Sequence, residues 1–185
     1  MLSLTTGWEG QPEPYLSRWI VAEPARDSWQ LAAYFALRRA VFVGEQGMFS
    51  QTDRDEYDAS ALHLVAMATQ AGMPDEVVGV VRIYEATGGT WFGGRLAVIS
   101  NYRRCREVGS ALTRAAVGSA RALGARRFLA TVQQENVAFF ERQHFVVREP
   151  LSLCGRAHQL MEADLSAFAP PDWAGDLHNL QRSAA

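Results

Sequence analysis

RLAVISNYRRCREVGSAL, running from Arg95 to Leu112, passes from an apolar strand pattern to a helical one across a loop that carries arginines. A helix N-terminus presents backbone N–H groups without intrahelical partners and about half a positive charge, so a tight loop feeding one is an anion site. Gly109 lets a phosphate approach the backbone, Val108 precedes it in the same turn, and Ser110 adds a hydroxyl donor. Arg103, Arg104 and Arg106 supply further charge. The ligand this implies is a phosphate or pyrophosphate. Its plainer alternative is an ordinary strand-to-helix connection with surface arginines.

Outward from this joint, hydrophobic periodicity sets the elements. Val108, Ala111, Leu112, Ala115, Ala116, Ala122 and Leu123 mark one face of a helix that Gly124 can end in a left-handed cap. Upstream, a valine-rich strand from Glu76 to Glu85 and a second from Thr90 to Ile99 flank "ATGGT", which predicts a hairpin. Arg18 to Ala22 reads as a first strand, and Leu31, Ala32, Phe35, Ala36, Ala40 and Val43 as the apolar face of a first helix. The acidic stretch "SQTDRDEYDAS" and an apolar run, "LHLVAMA", follow. Downstream, Arg127 to Val132 is a strand, "ENVAFFERQHF" a short helix leading into a strand at Phe145 to Val147, and a last strand lies near His158 to Leu165. A helix between strands implies a right-handed crossover packed on the sheet. Residues 1–17 read as a loose arm, and the tail 168–185 as a wrap over the surface or over an oligomer partner such as the second copy of a homodimer.

The totals narrow the function. One domain of 185 residues with 48% hydrophobic composition holds a sizeable core. No apolar run reaches the roughly 20 residues of a membrane span, and no signal-peptide layout opens the chain, which places it in the cytoplasm. A net charge of −2 gives no field for nucleic acid. Cys105 and Cys154 form no metal-ligand spacing, so no metal site is expected and both read as idle thiols. All 18 Lys+Arg residues are arginine, which rules out a Schiff-base lysine or a P-loop lysine; with a glycine spacing unlike a dinucleotide fold, ATP and NAD are disfavoured.

From about Leu37 to Leu165 the chain resembles the GCN5-related N-acetyltransferase superfamily, whose pyrophosphate motif, Arg/Gln-x-x-Gly-x-Gly/Ala, follows an apolar strand and opens a helix. Arg104 and Gly109 take its first and last positions, and Glu107 stands where the first glycine is usual. "LRRAVFVGEQG" with "DEYDASALHLVA", "FLATVQQENVAFFERQHF" and "GRAHQLMEADL" are similar to other segments of the same branch, in the same order. Together they are similar to acetyltransferases of bacterial nitrogen-starvation gene clusters. The resemblance implies an α/β fold with a mixed, V-split central sheet flanked by helices, and acetyl-CoA as cosubstrate. Its pantetheine would lie between the strands ending at Val98 and Val132, where splayed backbone groups need partners. Ala97 and Val98 would supply them, one N–H also serving the thioester oxygen. Gln133 and Asn136 are candidates for amide contacts to the pantetheine.

Acetyl transfer to the primary amine of a small molecule needs a neutral nucleophile, charge stabilisation on the carbonyl oxygen and a departing thiolate. Where many relatives place a tyrosine that protonates the thiolate, this chain has Phe140, itself expected at the cofactor. His158 and Glu45 are the candidate bases, each with a plainer structural reading; His63 reads as core. Asp53, Asp55, Glu56 and Asp58 either attract a cationic amine or form a solvated charged loop, Arg54 offsetting one charge. Tyr84, Trp91 and Phe92 either line an acceptor pocket or simply pack, and Arg95 either anchors a substrate carboxylate or is an edge charge. Acyl-homoserine-lactone synthases, which share the fold and an acidic segment faintly like "DRDEYD", and a non-catalytic acyl-CoA sensor are the alternatives.

Overall fold

The second strand shows the pattern that builds the protein. In Leu62–Gln70, Leu62, Leu64, Ala66 and Ala68 face one layer of the core while Val65 and Met67 face another, the two-residue period of a strand buried on both sides. The structure, a computed structural model, describes residues 19–70 and 73–177. The arm expected over residues 1–17 lies outside them, as do residues 178–185 of the tail.

Seven strands form one mixed sheet. They are β1 (Ile20–Pro24), β2 (Leu62–Gln70), β3 (Met73–Thr87), β4 (Thr90–Val98), β5 (Arg127–Gln133), β6 (Phe145–Leu153) and β7 (Arg156–Ala163), in the spatial order β1-β2-β3-β4-β5-β7-β6. Only β4 and β5 run parallel, joined by the crossover helix α2 (Arg106–Ala122). The other helices are α1 (Ser28–Arg38), prolonged by a π-helical turn over Arg39–Glu45, and the short α3 (Val137–Glu141). One face of the sheet packs on α2, with Val108 and Leu112 against β2 and β3; the other packs on α1 through Tyr34, Leu37 and Val41. Gly79 in β3 permits the first contact, because a Cβ there would lie 2.7 Å from Val108 Cγ1 and 2.9 Å from Leu112 Cδ1.

The hairpin expected around "ATGGT" forms, turning on Gly88 and Gly89 with φ of 54° and 78°, a two-residue turn that favours glycine. Gly124, φ 88°, caps α2 as expected, and Ala125 N–H closes the end on Ala120 C=O. Two readings are corrected. The buried stripe of α1 is Gln30, Tyr34, Leu37 and Arg38, not the stripe through Leu31, Phe35 and Ala40; two polar residues occupy it, so counting apolar positions selects the wrong face. β6 extends to Leu153 rather than Val147, because Pro150 is tolerated on an edge strand that needs fewer ladder bonds. Of the tail, residues 168–177 lie over α2: Arg121 donates to Phe168 C=O at 2.6 Å, and a Cβ at Gly118 would meet Ala169 O at 2.5 Å.

Candidate active site

β4 and β5 pair from Thr90/Arg127 to Gly93/Ala130 and then part. The departure coincides with a bulge in β4, where Arg95 takes φ 56° and the register with β3 shifts between Val80 and Arg82. The gap opens into a cleft of about 860 Å³, walled by β4, β5, the start of α2, α3 and the segment after the π-helical turn.

Which backbone groups face the gap follows from the ladder. Ile99 N–H donates to Val78 C=O at 3.0 Å. Bonded and non-bonded pairs alternate along an antiparallel ladder, so Ala97 is bonded to Val80, and Val98 turns its N–H and C=O toward the gap. Arg103 Nε, which donates to Val98 C=O at 2.9 Å, agrees with that direction. Of the two strand residues expected to serve the gap, Val98 has the right orientation; Ala97 is engaged with β3.

At the start of α2, Arg103, Arg104 and Arg106 are all exposed, and Arg103, Arg106 and Gly109 line the cleft. Arg104 and Arg106 make no ion pair among the described residues, whereas Arg103 also pairs with the Glu45 carboxylate. Glu45 is thereby half of an ion pair and does not line the cleft, rather than standing there as an unengaged base. Glu107, in the glycine position of the motif, turns to Arg114 at 2.6 Å on the solvent side. Val108 is buried against the sheet, and Ser110, buried on a different face of α2, does not line the cleft, so its hydroxyl is not placed as a donor there. At Gly109 a Cβ would lie 3.1 Å from the Phe139 ring, so the glycine lets α3 pack closely on the start of α2.

Toward the middle, His158 of β7 is 4% exposed and lines the cleft. Its Nδ1 lies 2.9 Å from Arg156 C=O. A carbonyl only accepts, so Nδ1 carries a proton, and in the neutral ring the lone pair is on Nε2. Gln133 Nε2 bridges to Gln46 Oε1 and Met48 Sδ, both at 3.2 Å, tying β5 to the segment after α1. Asn136 is exposed at the cleft rim, and Phe140 stacks edge-on against Phe139 and Phe145.

The far end holds what sequence reasoning missed. Asp53, Asp55 and Asp58 neither float in solvent nor wait for an amine; they neutralise three arginines. Arg38, with a fully buried side chain, donates to Asp53 at 2.7 Å and Asp58 at 2.5 Å, while Arg82 meets Asp55 at 2.5 Å and Asp58 at 2.9 Å. Arg95 reaches Asp55 at 3.1 Å and the Asp53 carbonyl at 2.9 Å. Burial opposes ionisation of Asp58, yet the Arg38 hydrogen bond, the Asp55 N–H and the Arg82 charge outweigh it and hold its pKa well below the carboxylate range. Burial likewise pulls Arg38 down, and its bonds to Asp58 and Asp53 more than restore it. Beside this network Tyr57, Tyr84 and Phe92 stack at centroid separations of 4.3 and 6.0 Å. Tyr84 and Phe92 thus line the cleft; Trp91, 2% exposed, packs in the core. His63 sits apart against Tyr34 and Phe35, and burial pushes its pKa down to about 4. The sequence offered one signal for the network, the acidic run itself; its partners lie up to 42 residues away.

The model of the Acetyltransferase (GNAT) family matches residues 26–145. The chain belongs to this family of acyltransferases, whose members use acyl-CoA. Among solved structures, a candidate N-acetyltransferase from Lactobacillus plantarum superposes with a TM-score of 0.68 at 23% identity, over 79% of this chain and 98% of that one. Escherichia coli ElaA gives 0.64 at 22% identity, over 78% and 98%. BjaI, a CoA-dependent acyl-homoserine lactone synthase, gives 0.61 at 19% identity, over 88% and 89%. These likenesses show the GNAT fold. Among curated proteins, none matches the chain in sequence. Acyl-CoA fits the residues present: a Val98 N–H turned into the gap between β4 and β5, then exposed arginines where α2 begins. No helix among the described residues is long and apolar enough to cross a membrane, and no group of side chains among them could hold a metal ion.

Proposed function

We propose that the protein transfers an acetyl group from acetyl-CoA to the primary amine of a small molecule, by direct attack within a ternary complex. The observation that carries this reading is the parting of β4 and β5 after Gly93 and Ala130, with the Val98 amide directed into the gap. Arg104, Arg106 and the first turn of α2 hold the diphosphate at one end by charge and backbone N–H groups. Acetyl-CoA supplies a thioester carbonyl. Val98 N–H donates to that oxygen as negative charge develops on it. His158 Nε2 accepts the proton lost by the amine nitrogen as the N–C bond forms and the C–S bond breaks, and the sulfur departs with the bonding pair. Phe140 has no proton to give. A thiol of pKa about 8.5 needs little help as a leaving group near neutral pH.

Incubation with acetyl-CoA and a panel of amines, reading released thiol, tests the reading. Amine-dependent release is expected, and His158→Gln should lower kcat by about 10²- to 10⁴-fold. Binding of CoA with no amine-dependent release from any acceptor would overturn it. The fold shared with BjaI, seen with SAM and isopentyl-CoA, makes longer acyl groups the comparison to include.

A further inference from the structure

We infer that the acceptor docks a carboxylate on Arg95, which makes the substrate an amine bearing both an anionic group and an apolar or planar body, an amino acid in class. This rests on the acyl-transfer reading and names what that site takes. At the end of the cleft away from the arginine loop, the charged side chains on the wall are Asp55, Arg82 and Arg95, with Asp53 and Asp58 balancing the charge behind them. Their hydrogen bonds are nonetheless unequal. Asp55 Oδ1 accepts from Arg82 Nη1 and Tyr57 N–H, and Oδ2 from Arg82 Nη2 and Arg95 Nη2, so both oxygens are filled. Arg95 places Nε and Nη2 on Asp53 and Asp55 and leaves Nη1 without a partner among the described residues. Arg82, 3% exposed, is left with Nε buried and unpartnered. A wall with unused donors and filled acceptors calls for an acceptor, and a guanidinium is the donor suited to a carboxylate.

The aromatic faces point the same way. A cationic ligand would seek them, yet the Arg82 guanidinium already lies 5.3 Å from the Tyr84 ring centre and that of Arg95 4.8 Å from Phe49. Burial, then repulsion from Arg82, holds the Arg95 pKa below its ordinary value, so an added anion would relieve it. The backbone of Arg95 adopts φ 56°, an unfavourable conformation for a side-chain-bearing residue, at the bulge that opens the cleft. The Tyr57–Tyr84–Phe92 slab offers a flat apolar surface for the remainder of the molecule.

Calorimetry on the protein, both alone and saturated with CoA, tests this without turnover. The probes are N-acetyl-L-phenylalanine, an anion; N-acetylphenethylamine, its neutral counterpart without the carboxylate; and phenethylamine, a cation. N-acetyl-L-phenylalanine is expected to bind at least about tenfold more tightly than either of the others, as a charge-assisted bond to guanidinium requires. Arg95→Gln should reduce that preference to less than about threefold, with CoA titrated alongside as the check on folding. Equal affinities, tighter binding of phenethylamine, or no binding by any of the three overturns the inference; the wild-type contrast decides even if the variant does not fold. Failure of thiol release would instead count against the acyl-transfer reading alone.

Discussion

Arg38, behind the acidic network, and Arg104, in the loop that opens α2, are put to opposite uses. Arg38 is fully buried, with every nitrogen engaged by Asp53, Asp58 or Tyr34. Arg104 is exposed, beside the equally exposed Arg106, at the start of α2. The first region closes its charges on itself and holds α1, the acidic loop and β3 together; the second leaves its charges open to a ligand. What separates them is the local supply of carboxylate. Three aspartates neutralise the buried arginines, while at the helix start Arg103 takes up Glu45 and Arg114 takes up Glu107, leaving no carboxylate paired with Arg104 or Arg106 among the described residues.

The largest effect expected from this contrast is on stability. Arg38→Ala strips buried Asp53 and Asp58 of the partner they share, leaving each only one more distant guanidinium, Arg95 at 3.3 Å and Arg82 at 2.9 Å, and should cost about 3–5 kcal/mol in urea unfolding, with no direct role in ligand contact. Loss under about 1 kcal/mol would mean the network is held by something other than its charges.

Next in size is a pH response from the same region. His63 is kept neutral by burial, its pKa near 4 against about 6.5 when unfolded. The unfolded chain therefore binds the proton first. His63 contributes fully above about pH 6.5, and about 3 kcal/mol of that is lost as pH falls to about 4. Asp55 and Asp58, whose pKa values are lowered, keep their contribution down to the unfolded carboxylate range near 3.9 and lose it only below. Unfolding free energy measured from pH 7.5 to 4.5 should decline in the wild type and stay nearly flat in His63→Gln.

At the open end the sign of the comparison reverses. The double variant Arg104→Ala/Arg106→Ala should weaken CoA binding about tenfold, flatten its salt dependence, and leave the unfolding midpoint where it was. Smallest of all is Arg114→Ala. Both partners of its ion pair with Glu107 are half exposed, so the change should stay under about 0.5 kcal/mol.

Most of the sheet was legible because its strands obey period two and its turns carry paired glycines; Gly88–Gly89 and Gly124 mark ends that the structure confirms. The face of α1 was not, because periodicity counts apolar residues and the buried stripe holds Gln30 and Arg38. The arginine loop could be read from the sequence since its residues are neighbours. The acidic network could not: Arg38 meets Asp58 and Arg82 meets Asp55 across 20 and 27 residues, and no local spacing announces a pairing made by folding. His158 was legible as a strand histidine, but the direction of its ring proton depends on a carbonyl two residues earlier that only the fold brings to Nδ1.

The amide proton of Val98 offers the most direct test, followed by NMR hydrogen exchange with and without saturating acetyl-CoA. If the parted strands receive the cosubstrate along the free edge of β4, exchange at Val98 slows by at least about tenfold while Ala97, already bonded to β3, changes little. Unaltered exchange at Val98 in the presence of bound acetyl-CoA would contradict the account.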